Sequence, residues 1–285
     1  MSDGTVYKEG WTLDDIQWSK FDPSRVDARL LAAAKGAALV EFNAPDYVTY
    51  LKRVFTGDAV AIEAIEHWGT EETQHGLALA RWCELADPTF NFQDAVRRFR
   101  AGYKPPHFAG DSQSSVRGSR RGEMISRCVV ESGTSSYYSA IRDASDEPVL
   151  KEVAGRIAAD EFRHYKLFYD TMNAQAEPDL PFWRKLMVAV SRINESDDDE
   201  LAYSFYCGNV TAAEEAAKPY VREKYVKLSS AAAMFAYRRH HIRKLTQMVA
   251  KAIGADPQGR LIRVASNLIW RMLSLRASRA EAALA

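Results

Sequence analysis

This sequence predicts an all-α fold, on three observations. Alanine occupies 42 of its 285 positions, while glycine and proline number only 15 and 10, below the roughly 12% that the two commonly make up together. Alternating Val/Ile/Thr-rich runs between Asn-Gly or Asp-Gly turns are absent. Long segments instead repeat apolar residues at the 3.6-residue period of an amphipathic helix. With 47% hydrophobic and 27% charged residues, disorder and low complexity are excluded, and one domain of this length buries roughly three quarters of its unfolded surface without disulfides. A single domain over 1–285 is the expectation.

Residues 24–56 read as one helix, through Leu30, Leu31, Ala34, Ala37, Ala38 and Glu41 to Tyr47, Tyr50 and Leu51. Pro45 lacks the N–H that would bond the Glu41 carbonyl, so a kink is expected beside that glutamate. Thr56-Gly57-Asp58 makes a turn, with Asp58 as N-cap of a helix over 58–86 that Ala86-Asp87-Pro88 ends. A shorter helix covers 92–102. Residues 102–122, with Pro105 and Pro106 among glycines and serines, read as a crossover loop between two similar halves. Helices follow over 123–143 and 147–175, then a linker through Pro178 and Pro181, then helices over 182–193, 200–217, 220–253 and 258–282.

No apolar run approaches the 18 or so residues of a bilayer span, and the N-terminus lacks a basic stretch followed by an apolar one. A cytoplasmic chain with no membrane span is expected. Cys83, Cys128 and Cys207 are odd in number and far apart, which points to buried reduced thiols rather than a disulfide framework or zinc site. Basic and acidic residues number 38 each, yet residues 97–127 carry a local balance of +6 and residues 238–280 one of +9. Such segments attract phosphates, nucleic acid, membrane surfaces or an acidic protein, with a solvated helix face as the plain alternative. No nucleic-acid-binding motif accompanies the charge, so nucleic acid is not expected as a partner. His240-His241 belongs to this basic face, since adjacent residues on a helix point about 100° apart. His67 and His107 have no ligand-like partners and receive no role.

The chemistry lies elsewhere. Glu72-Thr-Gln-His75 and Glu161-Phe-Arg-His164 are both Glu-x-x-His on expected helices, where residues three apart share a face and reach one ion. Composition alone gives about 0.4 such pairs by chance. Each pair has a glutamate upstream at a matching distance, Glu41 lying 31 residues before Glu72 and Glu131 lying 30 before Glu161, about the length from mid-helix to mid-helix across a short turn. Two such hairpins packed antiparallel point Glu41, Glu72, His75, Glu131, Glu161 and His164 into one bundle core, as in di-iron carboxylate proteins. Four carboxylates neutralise two divalent cations, whereas buried without metal they repel and cannot all ionise. Iron or manganese suits this donor set.

Trp68-Gly-Thr-Glu-Glu-Thr-Gln-His-Gly76 and Ile157-Ala-Ala-Asp-Glu-Phe-Arg-His164 resemble the two motifs of the soluble acyl-[acyl-carrier-protein] desaturases, and Glu41-Phe-Asn-Ala-Pro-Asp-Tyr47 resembles their first metal-ligand helix. The resemblance covers about residues 25–175. It implies a ferritin-like four-helix bundle with a di-metal core built from those six residues, with the segment about 180–285 as additional C-terminal helices that the family does not match. It implies two iron ions, consumption of O2, electrons from a ferredoxin-type donor, and a homodimer. Thr134, three residues after Glu131, keeps the family's threonine near the oxygen-binding face, while bonding to its own helix backbone is the alternative. Asp160 is implied as acceptor for an imidazole N–H across the bundle. By internal symmetry Glu71 does the same, with an exposed position or a ligand role as alternatives. Trp68 is either a core aromatic or a group that passes electrons. Gly133, Ala154 and Ala158 either leave room for oxygen and a chain-like substrate or serve close packing.

The function implied is hydrogen abstraction from a carrier-tethered acyl chain, with Arg97, Arg98, Arg120 and Arg121 as docking cations for an acidic acyl carrier protein. Desaturation and hydroxylation share that first abstraction and stay open. So do an oxygenase of another small molecule, with iron at both positions or manganese at one, and a ferritin-like iron-handling protein without organic substrate. The roughly 100 residues beyond the bundle argue against the last.

Overall fold

The computed structural model describes the backbone of residues 10–103, 114–195 and 199–284, and side chains as far as Leu275. Among the described residues the regular structure is helical, with no strand. Residues 104–113 of the expected crossover loop, with Pro105, Pro106 and His107, lie outside them.

Local signals set most helix ends. Asp22 accepts the Ser24 N–H and folds residues 23–25 into a 3-10 turn, so the first helix starts later than expected, at α1 (Ala28–Phe42), where Asp27 accepts the N–H groups of Arg29 and Leu30. The expected kink is a break: α1 ends at Asn43, and α2 (Ala44–Val54) begins with Pro45 in its first turn. The chain thus leaves the helix two residues beyond Glu41. Gly57 takes φ +87° in the turn before α3 (Ala59–Ala86), a conformation that costs glycine nothing. Asp58 caps α3 by accepting the Ala61 N–H.

The shorter α4 (Phe92–Gly102) is capped by Asn91, and α5 (Arg120–Ala144) by Ser119. Next, α6 (Pro148–Ala174) opens on proline with Glu147 as cap, the position where a missing N–H is harmless. The last third holds α7 (Phe182–Glu195), α8 (Asp199–Asn209), α9 (Arg222–Ala236), α10 (Arg239–Ala252) and α11 (Arg260–Leu284).

Two C-terminal expectations change. The helix over 200–217 stops at Asn209, where Thr211 and Glu214 cap a separate 3-10 turn. The helix over 220–253 divides between α9 and α10, because Tyr237 and Arg238 are extended and His241 Nδ1 accepts the Arg238 N–H at 3.0 Å to cap the new helix. No glycine or proline announces that break.

Helices α1 and α3 pack as one pair, α5 and α6 as another, and α3 meets α6 between them. Helices α8 and α9 cover α1, α7 and α10 cover α5, and α11 rests on α9 and α10. The core forms two apolar clusters. One gathers Leu39, Leu79, Trp82, Tyr138, Val153, Phe205 and Tyr225; the other gathers Leu51, Ile65, Trp68, Met124, Phe168 and Met248. Helices α3, α5 and α6 run from one cluster into the other, and each carries its candidate ligands between them. A buried polar layer therefore sits inside an apolar bundle. The C-terminal helices are part of that core, through Phe205 and Tyr225 on one side and Val188 and Met248 on the other.

Gly76 allows α1 to approach α3 at this layer. A Cβ there would stand 2.7 Å from the Phe42 nitrogen and 2.9 Å from the Ala38 carbonyl oxygen, backbone atoms that cannot swing aside. Gly76→Ala is expected to lower stability by about 1–3 kcal/mol and to separate Glu41 from His75. Urea unfolding with metal titration reads both, and unchanged values would mean that α1 yields freely.

Candidate metal centre

Helical spacing and the packing of four helices bring the six predicted residues together. Glu41 comes from α1, Glu72 and His75 from α3, Glu131 from α5, and Glu161 and His164 from α6, and all are buried. They form two groups, Glu41/Glu72/His75/Glu161 and Glu72/Glu131/Glu161/His164, each with one ligand atom per residue lying within 4.8 Å of the others. Glu72 and Glu161 belong to both. The geometry is that of two adjacent cation positions with two shared carboxylates.

Both imidazoles turn Nδ1 inward. His75 Nδ1 lies 3.3 Å from Glu161 and 3.9 Å from Glu41, and His164 Nδ1 lies 3.0 Å from Glu72 and 3.7 Å from Glu131. The outer Nε2 atoms meet carboxylates from the facing helix: His75 pairs with Asp160 at 2.9 Å, and His164 with Glu71 at 2.9 Å. Such partners fix the ring orientation and leave the inner nitrogen's lone pair for an ion. Glu71 thus sits outside the cluster of six, also bonded to Arg163 at 3.0 Å and 3.4 Å from His67. Sequence reading left His67 without a role, and it joins the site's outer edge.

The inward atoms test the fit of a metal. Glu41 Oε2, both Glu131 oxygens, Glu161 Oε1, and Nδ1 of His75 and His164 are buried without a hydrogen-bond partner. Buried polar atoms are rarely left so, and here they converge on one another. Cations would satisfy them together, and a set of four carboxylates and two imidazoles fits a pair of divalent ions.

Protonation shows the same frustration. Burial, with Glu161 and Glu41 alongside, raises the Glu72 carboxyl well above its usual range. Burial and the neighbouring Glu161 push Glu131 up to about 8. Burial also works to raise Glu161, but the two imidazoles beside it outweigh this and hold it below the usual range. The histidines respond in the opposite sense: burial works to lower them, and the surrounding carboxylates raise both. Protons thus offset charge that divalent ions would otherwise balance.

Other predicted residues fall into place around this layer. The Thr134 hydroxyl donates to Glu161. Gly133 is half-buried, with nothing within 4 Å of where a Cβ would stand; two residues on from Glu131, it points about 200° away from that carboxylate. Ala154 and Ala158 are packed into the first apolar cluster. Trp68 lies edge-on to Phe168 in the second cluster, a core aromatic. Cys83, Cys128 and Cys207 are buried free thiols.

The four arginines expected as docking cations differ in what they already bond. Arg98 bonds Asp94, Glu215 and the Cys207 carbonyl; Arg120 bonds the carbonyls of Val54 and Thr56; and Arg121 bonds those of Gln175 and Glu177. These three brace the fold, and Arg97, paired with Asp94, is the outward member of the four. His240 and His241 do not diverge as adjacent helical residues should. They occupy the first turn of α10 with ring centroids 3.9 Å apart, and both reach Asp143. Because His241 Nδ1 accepts a backbone N–H, its proton sits on Nε2 and goes to Asp143, so that ring caps the helix within a cluster, Asp143, His240 and His241, whose ligand atoms lie close enough together to hold an ion.

Two further residues that the sequence reading does not name, Trp11 and Tyr138, reach the site. Trp11 donates its indole N–H to Asp160 at 2.7 Å and stacks on His75 with centroids 6.0 Å apart, while Gln74 holds the Trp11 carbonyl. Tyr138 donates its hydroxyl to Glu41. Trp11 belongs to an irregular segment with no periodicity to read. Tyr138 carried a signal, two helical turns after Glu131. No family model matches the chain, and no curated protein matches it.

Proposed function

We propose that the chain is an oxygen-dependent di-iron oxidoreductase that abstracts hydrogen from an unactivated C–H bond, in the manner of the acyl-carrier-protein desaturases it resembles. The observation that carries this reading is the pair of buried four-residue groups sharing Glu72 and Glu161. When bound, two iron ions held by Glu41, Glu72, His75, Glu131, Glu161 and His164 supply the redox chemistry that activates O2.

The protein's own residues then have distinct tasks. Asp160 and Glu71 hold the imidazoles in the tautomer that faces inward. Thr134 positions a proton against Glu161. The apolar clusters above and below exclude water from a reactive site. Trp11, half-buried at the surface end of the path Trp11–Asp160–His75, offers electrons from an external donor a short route inward.

A second reading is supported by the internal bonding of Arg98, Arg120 and Arg121. With three of the four docking cations engaged inside the fold, an untethered small molecule competes with a carrier-bound acyl chain as substrate. The test is O2 uptake by protein loaded anaerobically with Fe(II) and given a chemical reductant and then a reduced ferredoxin, with Trp11→Phe alongside. Wild type is expected to consume O2 under both reductants, and Trp11→Phe to lose at least about tenfold in rate with the ferredoxin while retaining its iron. An iron-loaded wild type that consumes no O2 would overturn the proposal.

A further inference from the structure

We propose that α11 docks the protein on an anionic membrane surface, lying along the bilayer interface rather than crossing it. The observation is an apolar stripe that the fold leaves uncovered. Leu261, Val264, Leu268, Met272 and Leu275 recur at spacings of three and four residues and are 84%, 54%, 60%, 47% and 60% exposed. The stripe is about 21 Å long at a helical rise of 1.5 Å per residue. Between Arg260 and Leu275 the only fully buried residue is Ser266. A helix whose task was to close the core would bury its leucines, and this one turns them outward.

Charge identifies the occupant. Every charged side chain between residues 260 and 275 is an arginine, Arg260, Arg263 and Arg271, and all three are exposed. Arg239 of α10 adds a fourth guanidinium, placed against α11 by its bonds to Asn267 at 2.7 and 3.1 Å. The only acidic residue from 238 to 275 is Asp256, in the turn before α11. Pairing this stripe with a second copy of itself would set arginines against arginines along the seam, with no carboxylate between residues 260 and 275 to answer them. Large aliphatic residues rimmed by cations are instead the composition of a helix that buries its apolar face among acyl chains and sets its cations among anionic headgroups. The +9 balance of residues 238–280, which the metal centre does not use, acquires a role.

The test is co-sedimentation of the full chain with vesicles of phosphatidylcholine alone and with a third of phosphatidylglycerol. Binding is expected to the anionic vesicles only, and to fall about tenfold or more on moving from low to molar salt, as screening shortens the reach of the arginines. Leu261→Asp/Leu268→Asp, with unchanged helicity, is expected to lose binding. Arg260→Gln/Arg263→Gln/Arg271→Gln, which leaves the apolar stripe intact, is expected to bind weakly and with a reduced salt dependence. Wild type that stays in the supernatant with both vesicles, or an Asp pair that binds as wild type does, would overturn the proposal. So would a wild-type dimer in solution that the Asp pair converts to monomer without any vesicle binding, since the stripe would then be a self-interface.

Discussion

Glu161→Ala is expected to abolish metal binding altogether, taking the chain from two ions to none, whereas Glu41→Ala is expected to retain about one. The asymmetry follows from membership of the two groups. Glu161 and Glu72 each serve both positions, while Glu41 serves only the His75 side and Glu131 only the His164 side. Losing a carboxylate that touches an ion exceeds the roughly 10–100-fold that an outer hydrogen-bonding partner such as Asp160 is worth. Mass spectrometry after anaerobic Fe(II) loading counts the ions. Equal losses in the two variants would remove the shared pair from the description. Loading must also displace protons, because burial and Glu161 push Glu131 up to about 8, and Glu72 and both imidazoles are likewise held above their ordinary ranges. Apparent affinity is therefore expected to weaken steadily as pH falls below about 8.

Glu147→Ala is expected to cost about 3–5 kcal/mol of stability without touching metal content. Glu147 is 1% exposed and accepts three N–H groups. Leu150 bonds it at 2.7 Å as the cap of α6, the Trp82 indole bonds it at 2.7 Å, and the Asp22 backbone bonds it at 3.1 Å. Loss of the cap costs about 1 kcal/mol, and donors buried without a partner cost roughly 1–3 kcal/mol each. Urea unfolding measures the total, and Trp82→Phe in the same background separates the indole's share, since removing the stranded donor recovers part of the loss. A cost under about 1 kcal/mol would mean that water replaces the carboxylate.

The six clustered residues were legible because their signal is periodic. Glu-x-x-His places a carboxylate and an imidazole on one helical face whatever surrounds the helix, and the closely matching distances from Glu41 to Glu72 and from Glu131 to Glu161 repeat one hairpin length. Capping was legible at Asp58, and the close of α3 at Ala86, for the same local reason. The break at Tyr237-Arg238 was not, because its cap is a histidine ring that folds back on a backbone N–H, a contact that residue type alone does not mark. Nor was the work of Arg98, Arg120 and Arg121: a run of arginines reads alike whether its partners are solvent or carbonyls 50 residues away.

By itself, then, the sequence determined an all-helical chain and the composition of its polar centre, because helical periodicity and carboxylate–imidazole chemistry are local properties. Only the tertiary structure decided which carboxylates are shared, that Glu71 stands outside the cluster of six rather than within it, that Trp11 reaches Asp160 from the N-terminal segment, and that α11 turns Leu261, Leu268 and Leu275 outward. Each of these depends on distances between segments far apart in the chain. Such distances come from packing one helix against another, and no spacing along a single helix contains them.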